Sequence, residues 1–250
     1  MAPVADEEAE LDAEDAWETH AAWWQRHFTE GADPEYEEQI LPLAAEHLAG
    51  ATRVLDVGCG EGQLSRRAAS GGAWVVGMDP TAGQIVEASA RGGGVLYARG
   101  GAEHLPFDAD AFDAVVVCLT LEHIEPFEPA VQEIGRVLAP GGRFLLFLNH
   151  PLFQAPDSGW IDDQVLQEQY WRVGSYLDDA VSLDEVAPGI KLVFMHRALS
   201  RYVNVMAGCG LLVEHMEEPL PPPGFLLQAP EYAEVPSIPR LLVLRARKRT

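Results

Sequence analysis

The stretch VLDVGCGEGQ (54–63) constrains the fold of this chain more than any other. A short run of strand-forming residues ends in three glycines at alternate positions, Gly58, Gly60 and Gly62. Glycine reaches backbone conformations closed to other residues, so a strand ending this way turns sharply and lets a ligand approach the main chain. In an open α/β sheet that position lies at the carboxyl edge, where ligands bind.

The residues around the glycines narrow the ligand. A triphosphate loop needs Lys followed by Ser or Thr after its last glycine, whereas Gln63 and Leu64 stand here. A dinucleotide loop is spaced G-x-G-x-x-G; this one is G-x-G-x-G, with Asp56 two residues before the first glycine. A carboxylate there repels pyrophosphate and suits a cationic ligand. Asp79 ends the next strand, nineteen residues beyond Gly60, where a carboxylate can accept hydrogen bonds from two ribose hydroxyls.

The alternation continues downstream. Strand patterns at 53–58, 73–79, 95–100, 112–119 and 143–149 are separated by helical patterns at 63–70, 81–91 and around Val131, Ile134 and Leu138, which PGG (140–142) is expected to end. FDAVVVCL is almost continuously apolar, as a strand covered on both faces should be. Such alternation implies right-handed crossovers and a parallel, doubly wound sheet. A helix around Leu199–Met206 and late strands at 211–218 and 240–248 follow, joined by a Pro-rich linker (219–239).

Two regions depart from this rhythm. Residues 1–49 carry fourteen Asp or Glu against one basic residue, Arg26, and read as an acidic helical lid. Residues 1–12 are expected to be frayed. Trp17, Ala21, Trp24 and Phe28 form an apolar stripe, Trp23 lies off it, and a second helix spans Tyr36–Leu48 with an interruption at Pro42. The segment 151–195 is rich in Trp, Tyr, Asp and Gln and too long for a plain connection, so it reads as a cap. The division is therefore 1–49 for the lid and 50–250 for the main domain.

The net charge of −22 argues against a nucleic-acid substrate, which calls for a basic stripe. No apolar run is long enough for a membrane span, and the acidic N-terminus is unlike a secretory signal, so a cytoplasmic address is expected. Cys59, Cys118 and Cys209 have neither metal-ligand nor disulfide spacing; no metal is expected.

With VLDVGCGEGQ, VVGMDPTAGQI, GGAEHLPFDADAFDAVVVCLTLEHI and IGRVLAPGGRFLLFLN in this order, the chain resembles the class I S-adenosylmethionine-dependent methyltransferases. Within them it is similar to the small-molecule branch that includes ubiquinone/menaquinone-type enzymes. The resemblance covers roughly 53–149 and, more loosely, 196–248. It implies a Rossmann-like seven-stranded sheet with an antiparallel last strand, S-adenosylmethionine as cofactor and S-adenosylhomocysteine as product. By position it implies that Asp56, Gly58, Cys59 and Gly60 line the methionine end. Asp79 would take the ribose, Pro80, Thr81, Ala102 and Glu103 the adenine side, and Leu119 the methionine moiety. Many members carry Asp where this chain has Gly101, which leaves Glu103 and backbone amides to read adenine.

Methyl transfer from a sulfonium mainly requires alignment and exclusion of water, and a base only if the acceptor must lose a proton. The candidate bases are His123 and His150, which follow the fourth and fifth strands. Candidate acceptor contacts are Trp23, Tyr36, Asn149, Phe153, Trp160 and Tyr170; the insert's aromatics suit either an acceptor wall or a satellite core. The expected partner is a small-molecule methyl acceptor, on a monomer or homodimer. A non-catalytic module that binds the cofactor, and a nicotinamide oxidoreductase, are the competing readings.

Overall fold

A computed structural model describes residues 13–233 and 238–250; the expectation for residues 1–12 lies outside them. In chain order the elements begin with α1 (Ala13–His27), a π-helical turn at Tyr36–Ile40, and α2 (Leu41–His47). The alternating unit follows as β1 (Arg53–Val57), α3 (Gln63–Ser70), β2 (Trp74–Asp79), α4 (Ala82–Arg91), β3 (Leu96–Arg99) and β4 (Phe112–Cys118). It closes with α5 (Phe127–Val137) and β5 (Leu138–Asn149). The insert contains β6 (Gly159–Asp163), β7 (Glu168–Arg172), β8 (Ala180–Ala187) and β9 (Ile190–His196), and the chain ends with α6 (Leu199–Gly208), β10 (Leu211–Glu217), α7 (Pro223–Gln228) and β11 (Leu241–Lys248).

Seven strands form one sheet in the order β10-β11-β5-β4-β1-β2-β3. The pairs among β1 to β5 are parallel, and β11 runs antiparallel to both neighbours. The expected architecture is therefore the observed one.

Strand alternation builds a core on each face. Leu55, Val115, Phe144 and Leu146 face α5 and α6, where Phe127, Ile134, Tyr202 and Met206 are buried. Val54, Val116, Phe147 and Val243 face the other way, against Tyr36, Ile40, Ala44, Leu64 and Ala68. Each fully buried side chain of this size contributes about 1.5–3 kcal/mol of transfer free energy. The same alternation places Asp56, next along β1 after Leu55, on the second face in register with Gly77 and Val116, so a carboxylate is buried.

Two boundaries differ from expectation. PGG does not separate α5 from its strand: β5 already begins at Leu138, which pairs with Phe112, and the ladder resumes with Arg143 opposite Ala114. Residues 139–142 bulge out between those pairs, helped by Gly141 at φ +75°. The interruption in the second helix is the π-helical turn before Pro42, rather than a kink at the proline.

The insert is two antiparallel hairpins, β6–β7 and β8–β9, each a separate two-stranded sheet. Among the described residues no helix is long and apolar enough to cross a membrane.

Candidate active site

The carboxyl ends of β1, β2 and β4 open into a cleft of about 730 Å³. At one end lies the glycine turn. Gly58 and Cys59 donate their backbone N–H groups to the Met78 carbonyl at 2.8 and 3.0 Å, locking the turn onto β2. Gly58, Gly60 and Gly62 have φ of +73°, +54° and +85°, a region that strains any L side chain.

Their surroundings separate the three glycines. A β-carbon at Gly58 would overlap Thr120, and one at Gly62 would overlap the Tyr97 hydroxyl; at Gly60 the nearest side chain is Trp24, 4.0 Å away. Gly60 alone of the three has open space where a side chain would stand, whereas Gly62 makes room for Tyr97, whose ring also rests on Gly77.

Asp79 is buried, and its two oxygens accept from Gly60 N–H and Thr81 N–H, each at 2.9 Å. It ties the glycine turn to the start of α4. Asp56 accepts from Ser65 Oγ at 2.5 Å. Burial pushes its carboxyl up to about 7, against the pull of the Ser65 hydrogen bond, and the neighbouring Asp79 and Glu61 push the same way. An uncompensated acid in this position is stabilised by any cation placed beside it. Glu61, also buried, already has partners: Arg66 at 2.6 Å and Arg91 at 2.9 Å.

The Glu103 carboxylate folds back over Gly101, into the space a side chain at 101 would take. Ala102, Glu103, Pro80 and Thr81 all line this end of the cleft.

Much of the remaining lining is apolar. Trp17 and Trp24 of α1 meet edge to face, with ring centroids 5.2 Å apart, and Tyr36 stands edge-on to Trp24. Val181 of β8 and Val193 and Met195 of β9 line the opposite side. Leu119 also lines the cleft, held at φ +50° where β4 stops, an uncommon conformation for leucine.

His123 also borders the cleft. Its Nδ1 is 2.7 Å from the Val193 carbonyl, which can only accept, so Nδ1 carries the proton. Burial lowers the imidazole to about 4, the Val193 hydrogen bond partly opposing this. The ring packs against Trp17 and Phe194 at 4.9 and 4.6 Å.

α1 is fastened to the start of α4. Glu18 accepts from Ala82 N–H at 2.7 Å and Gly83 N–H at 3.0 Å, capping α4, whose own N-cap residue Thr81 makes no side-chain cap. Gln25, about two helical turns further along α1, donates to Gln84 in the first turn of α4 at 3.0 Å.

The site residues read from the sequence divide cleanly. Asp56, Gly58, Cys59, Gly60, Asp79, Pro80, Thr81, Ala102, Glu103, Leu119, His123 and Tyr36 all line the cleft. His150, Asn149, Trp23, Phe153, Trp160 and Tyr170 do not. His150 accepts from Leu152 N–H at Nδ1 (3.1 Å) and contacts Glu218 through Nε2 (2.9 Å), so both ring nitrogens serve the chain itself. Asn149 donates to the buried Glu122 at 3.0 Å. Trp23, off the apolar stripe, stacks on His27.

Phe153 and Trp160 join Trp171 and Tyr232 in a satellite core, with centroid distances of 4.2–5.8 Å, and Arg240 lies over Tyr232 and Phe225. Tyr170 is exposed on β7. Trp17, Trp24 and the β8–β9 valines went unread as cleft residues. Helical periodicity marks the apolar face of α1 but does not distinguish a face that packs a core from one that walls a cleft.

Away from the cleft, His47, His215 and Glu217 bring three potential metal-ligand atoms within 4.8 Å of one another. Arg245 donates to His47 Nδ1 at 3.1 Å, so Nε2 bears the proton that Glu217 accepts at 2.8 Å. The trio is a hydrogen-bonded network.

Comparison with known proteins agrees with this geometry. Residues 55–146 match the family model described as a methyltransferase domain. The crystal structure of an S-adenosylmethionine-dependent methyltransferase from Mesorhizobium loti superposes with a TM-score of 0.75 at 30% identity, covering 87% of this chain and 100% of that one. The chain belongs to the S-adenosylmethionine-dependent methyltransferases.

Among curated methyltransferases, an uncharacterised one of Mycobacterium bovis is 34% identical over 152 residues, and the match covers 61% of this chain and 58% of that protein. A demethylmenaquinone methyltransferase of Mycolicibacterium gilvum is 35% identical over 102 residues, 41% of this chain and 44% of that one. The chain thus spans less than two thirds of the curated methyltransferases it matches.

Proposed function

We propose that the protein transfers a methyl group from S-adenosylmethionine to a small organic acceptor bound in the apolar end of the cleft. The observation that carries this reading is one cavity whose lining joins the glycine turn and its buried carboxylates to apolar side chains from α1, β8 and β9.

The cofactor end fits the donor. Asp56, raised by burial and short of a cation, suits its ammonium side. Asp79 suits the ribose: each of its oxygens accepts one backbone N–H and keeps a lone-pair direction for a hydroxyl. Glu103, lying over Gly101, brings a carboxylate to the adenine side without an acid at 101. When bound, the sulfonium supplies an electrophilic methyl group that leaves a neutral thioether behind.

The chain's own part is alignment and exclusion of water. Gly60 lets the backbone approach the ligand, the Asp79 tie keeps turn and α4 in register, and Trp17 and Trp24 cover the reacting centre from α1. α1 and the β8–β9 hairpin are the lid and the cap of this reading. The insert's other hairpin packs its aromatics on Phe153 and on Tyr232 beyond α7.

Mass spectrometry of ligands that leave the natively purified protein on denaturation tests the proposal. S-adenosylhomocysteine or its parent is the expected species. A nicotinamide nucleotide in its place, with no thermal stabilisation by S-adenosylhomocysteine, would overturn it.

A further inference from the structure

The charges and free hydrogen-bonding groups of the cleft restrict what can be methylated. The charged residues among its lining are all acids, Asp56, Glu61, Asp79, Glu103 and Glu125, with no Lys or Arg. The first four belong to the cofactor end, and Glu125 is exposed at the rim. An acceptor carrying a carboxylate or phosphate would enter an apolar pocket with no cation to meet it, and a buried unpaired charge is costly.

The polar inventory at the acceptor end is short. The Tyr36 oxygen is within reach of the Cys118 thiol at 3.9 Å, a weak contact. His123 is the sharper group. Its Nδ1–H is committed to Val193, which leaves Nε2 as a bare acceptor. Among the described residues no hydrogen bond reaches that atom, and it is not among the atoms sealed from solvent. His123 lines the cleft, so Nε2 asks for a donor there. The walls include two indole rings, a branched aliphatic side chain and a thioether: Trp17, Trp24, Val193 and Met195. Such surfaces favour a planar ring, which buries much apolar area at little conformational cost.

Resting on the methyl-transfer reading above, we propose that the acceptor is an uncharged, flat ring compound that presents one hydroxyl to His123 Nε2. His123 selects that hydroxyl and receives its proton. As the acceptor oxygen bonds to the methyl carbon, the carbon–sulfur bond breaks and its electron pair stays on sulfur. The oxygen's proton passes to Nε2 and then to water. A weakly basic imidazole suffices, because an oxygen that has gained a methyl group holds its proton far less tightly than any imidazole does. Burial also keeps Nε2 unprotonated near neutral pH, so the acceptor atom is always available.

The test is binding, measured by calorimetry on the full-length protein saturated with S-adenosylhomocysteine. The probes are size-matched ring compounds: neutral phenols, their methyl ethers, ring carboxylates and ring ammonium compounds. Phenols are expected to bind about tenfold or more tightly than the ethers, the loss of one hydrogen bond to a buried partner. Carboxylates are expected to bind more weakly still.

His123→Ala should abolish the preference for phenol over ether, and His123→Gln, which retains an acceptor oxygen, should restore part of it. S-adenosylhomocysteine affinity should stay the same in both variants. A merely structural histidine would weaken phenol and ether equally, and that result overturns the proposal, as does tighter binding of carboxylates or ammonium compounds. Failure of the wild-type protein to bind S-adenosylhomocysteine would sink the methyl-transfer reading itself. Normal binding of that compound with a reversed order of ring compounds would sink only the acceptor assignment.

Discussion

The two ends of the cleft are built in opposite ways. The proposed cofactor end rests on a few short stretches: residues 56–61 on β1 and its turn, 79–81 at the end of β2, and 101–103 after β3. Its organising contacts are backbone hydrogen bonds to Asp79 and Met78, made between neighbouring parallel strands. The proposed acceptor end collects Trp17, Tyr36, His123 and Val193 from four separate segments, and apolar packing with one hydrogen bond, His123 to Val193, fastens them. Polar geometry tolerates little change, whereas an apolar wall can be remodelled one side chain at a time. One end can therefore stay constant while the other changes its ligand.

The largest effect that would sharpen this contrast is expected at Asp79. Asp79→Ala removes both the proposed ribose contacts and the tie between Gly60 and Thr81. Two charge-assisted hydrogen bonds of about 1.5–3 kcal/mol each predict roughly 10²–10⁴-fold weaker binding of S-adenosylhomocysteine. The apolar wall should be intact by near-ultraviolet circular dichroism. Affinity within about threefold of wild type would remove Asp79 from the cofactor end and break the comparison.

A smaller effect is expected with pH. Burial holds the Asp56 carboxyl at about 7 in the unliganded protein, and a bound cation favours its ionised form. Affinity for S-adenosylhomocysteine should therefore rise with pH up to about 7 and level off above it, changing by up to tenfold per unit on the acid side. Asp56→Asn should flatten the profile.

Stability of the unliganded protein should move the other way. Asp56 and Glu122 are both raised by burial, from 3.8 and 4.5 to about 7, so the fold binds their protons more tightly than the unfolded chain does. Their contribution is neutral below about 4 and becomes destabilising as pH rises from there through 7, which thermal melts across that range would show. A melting temperature that rises over the same interval would contradict the burial argument for both groups.

The smallest effect is expected at His150, beyond the cleft. His150→Ala loses the contacts to Glu218 and the Leu152 amide and should cost about 1 kcal/mol of stability. S-adenosylhomocysteine affinity and turnover should stay within about twofold of wild type. A large loss of turnover at unchanged stability would mean that the acceptor end extends past Leu119 toward β5, and the two-ended description would need redrawing.

The sequence made the cofactor end legible because its chemistry is written in consecutive residues. Glycine spacing and an acid at the strand end specify a backbone shape and a charge, and β1 and β2 must be neighbours for the crossover to be right-handed. Even there one role was hidden. Gly62 reads as part of the ligand loop, yet it makes room for Tyr97, a contact thirty-five residues away that no local pattern announces.

Residues 151–195 show the reverse case. Their aromatic content marks a cap, but the same Phe153 and Trp160 suit an acceptor wall or a satellite core. Hairpin pairing and Arg240 decide for the core. The two histidines after β4 and β5 look equivalent in sequence; the Val193 carbonyl turns one toward the cleft, and Glu218 holds the other outside it. By itself, then, the sequence determined the doubly wound sheet, the glycine turn and the carboxylates of the cofactor end, because strand periodicity and glycine conformation act over a few residues. Only the tertiary structure decided which aromatics and which histidine line the cleft, because those positions depend on segments that meet through packing far apart in the chain.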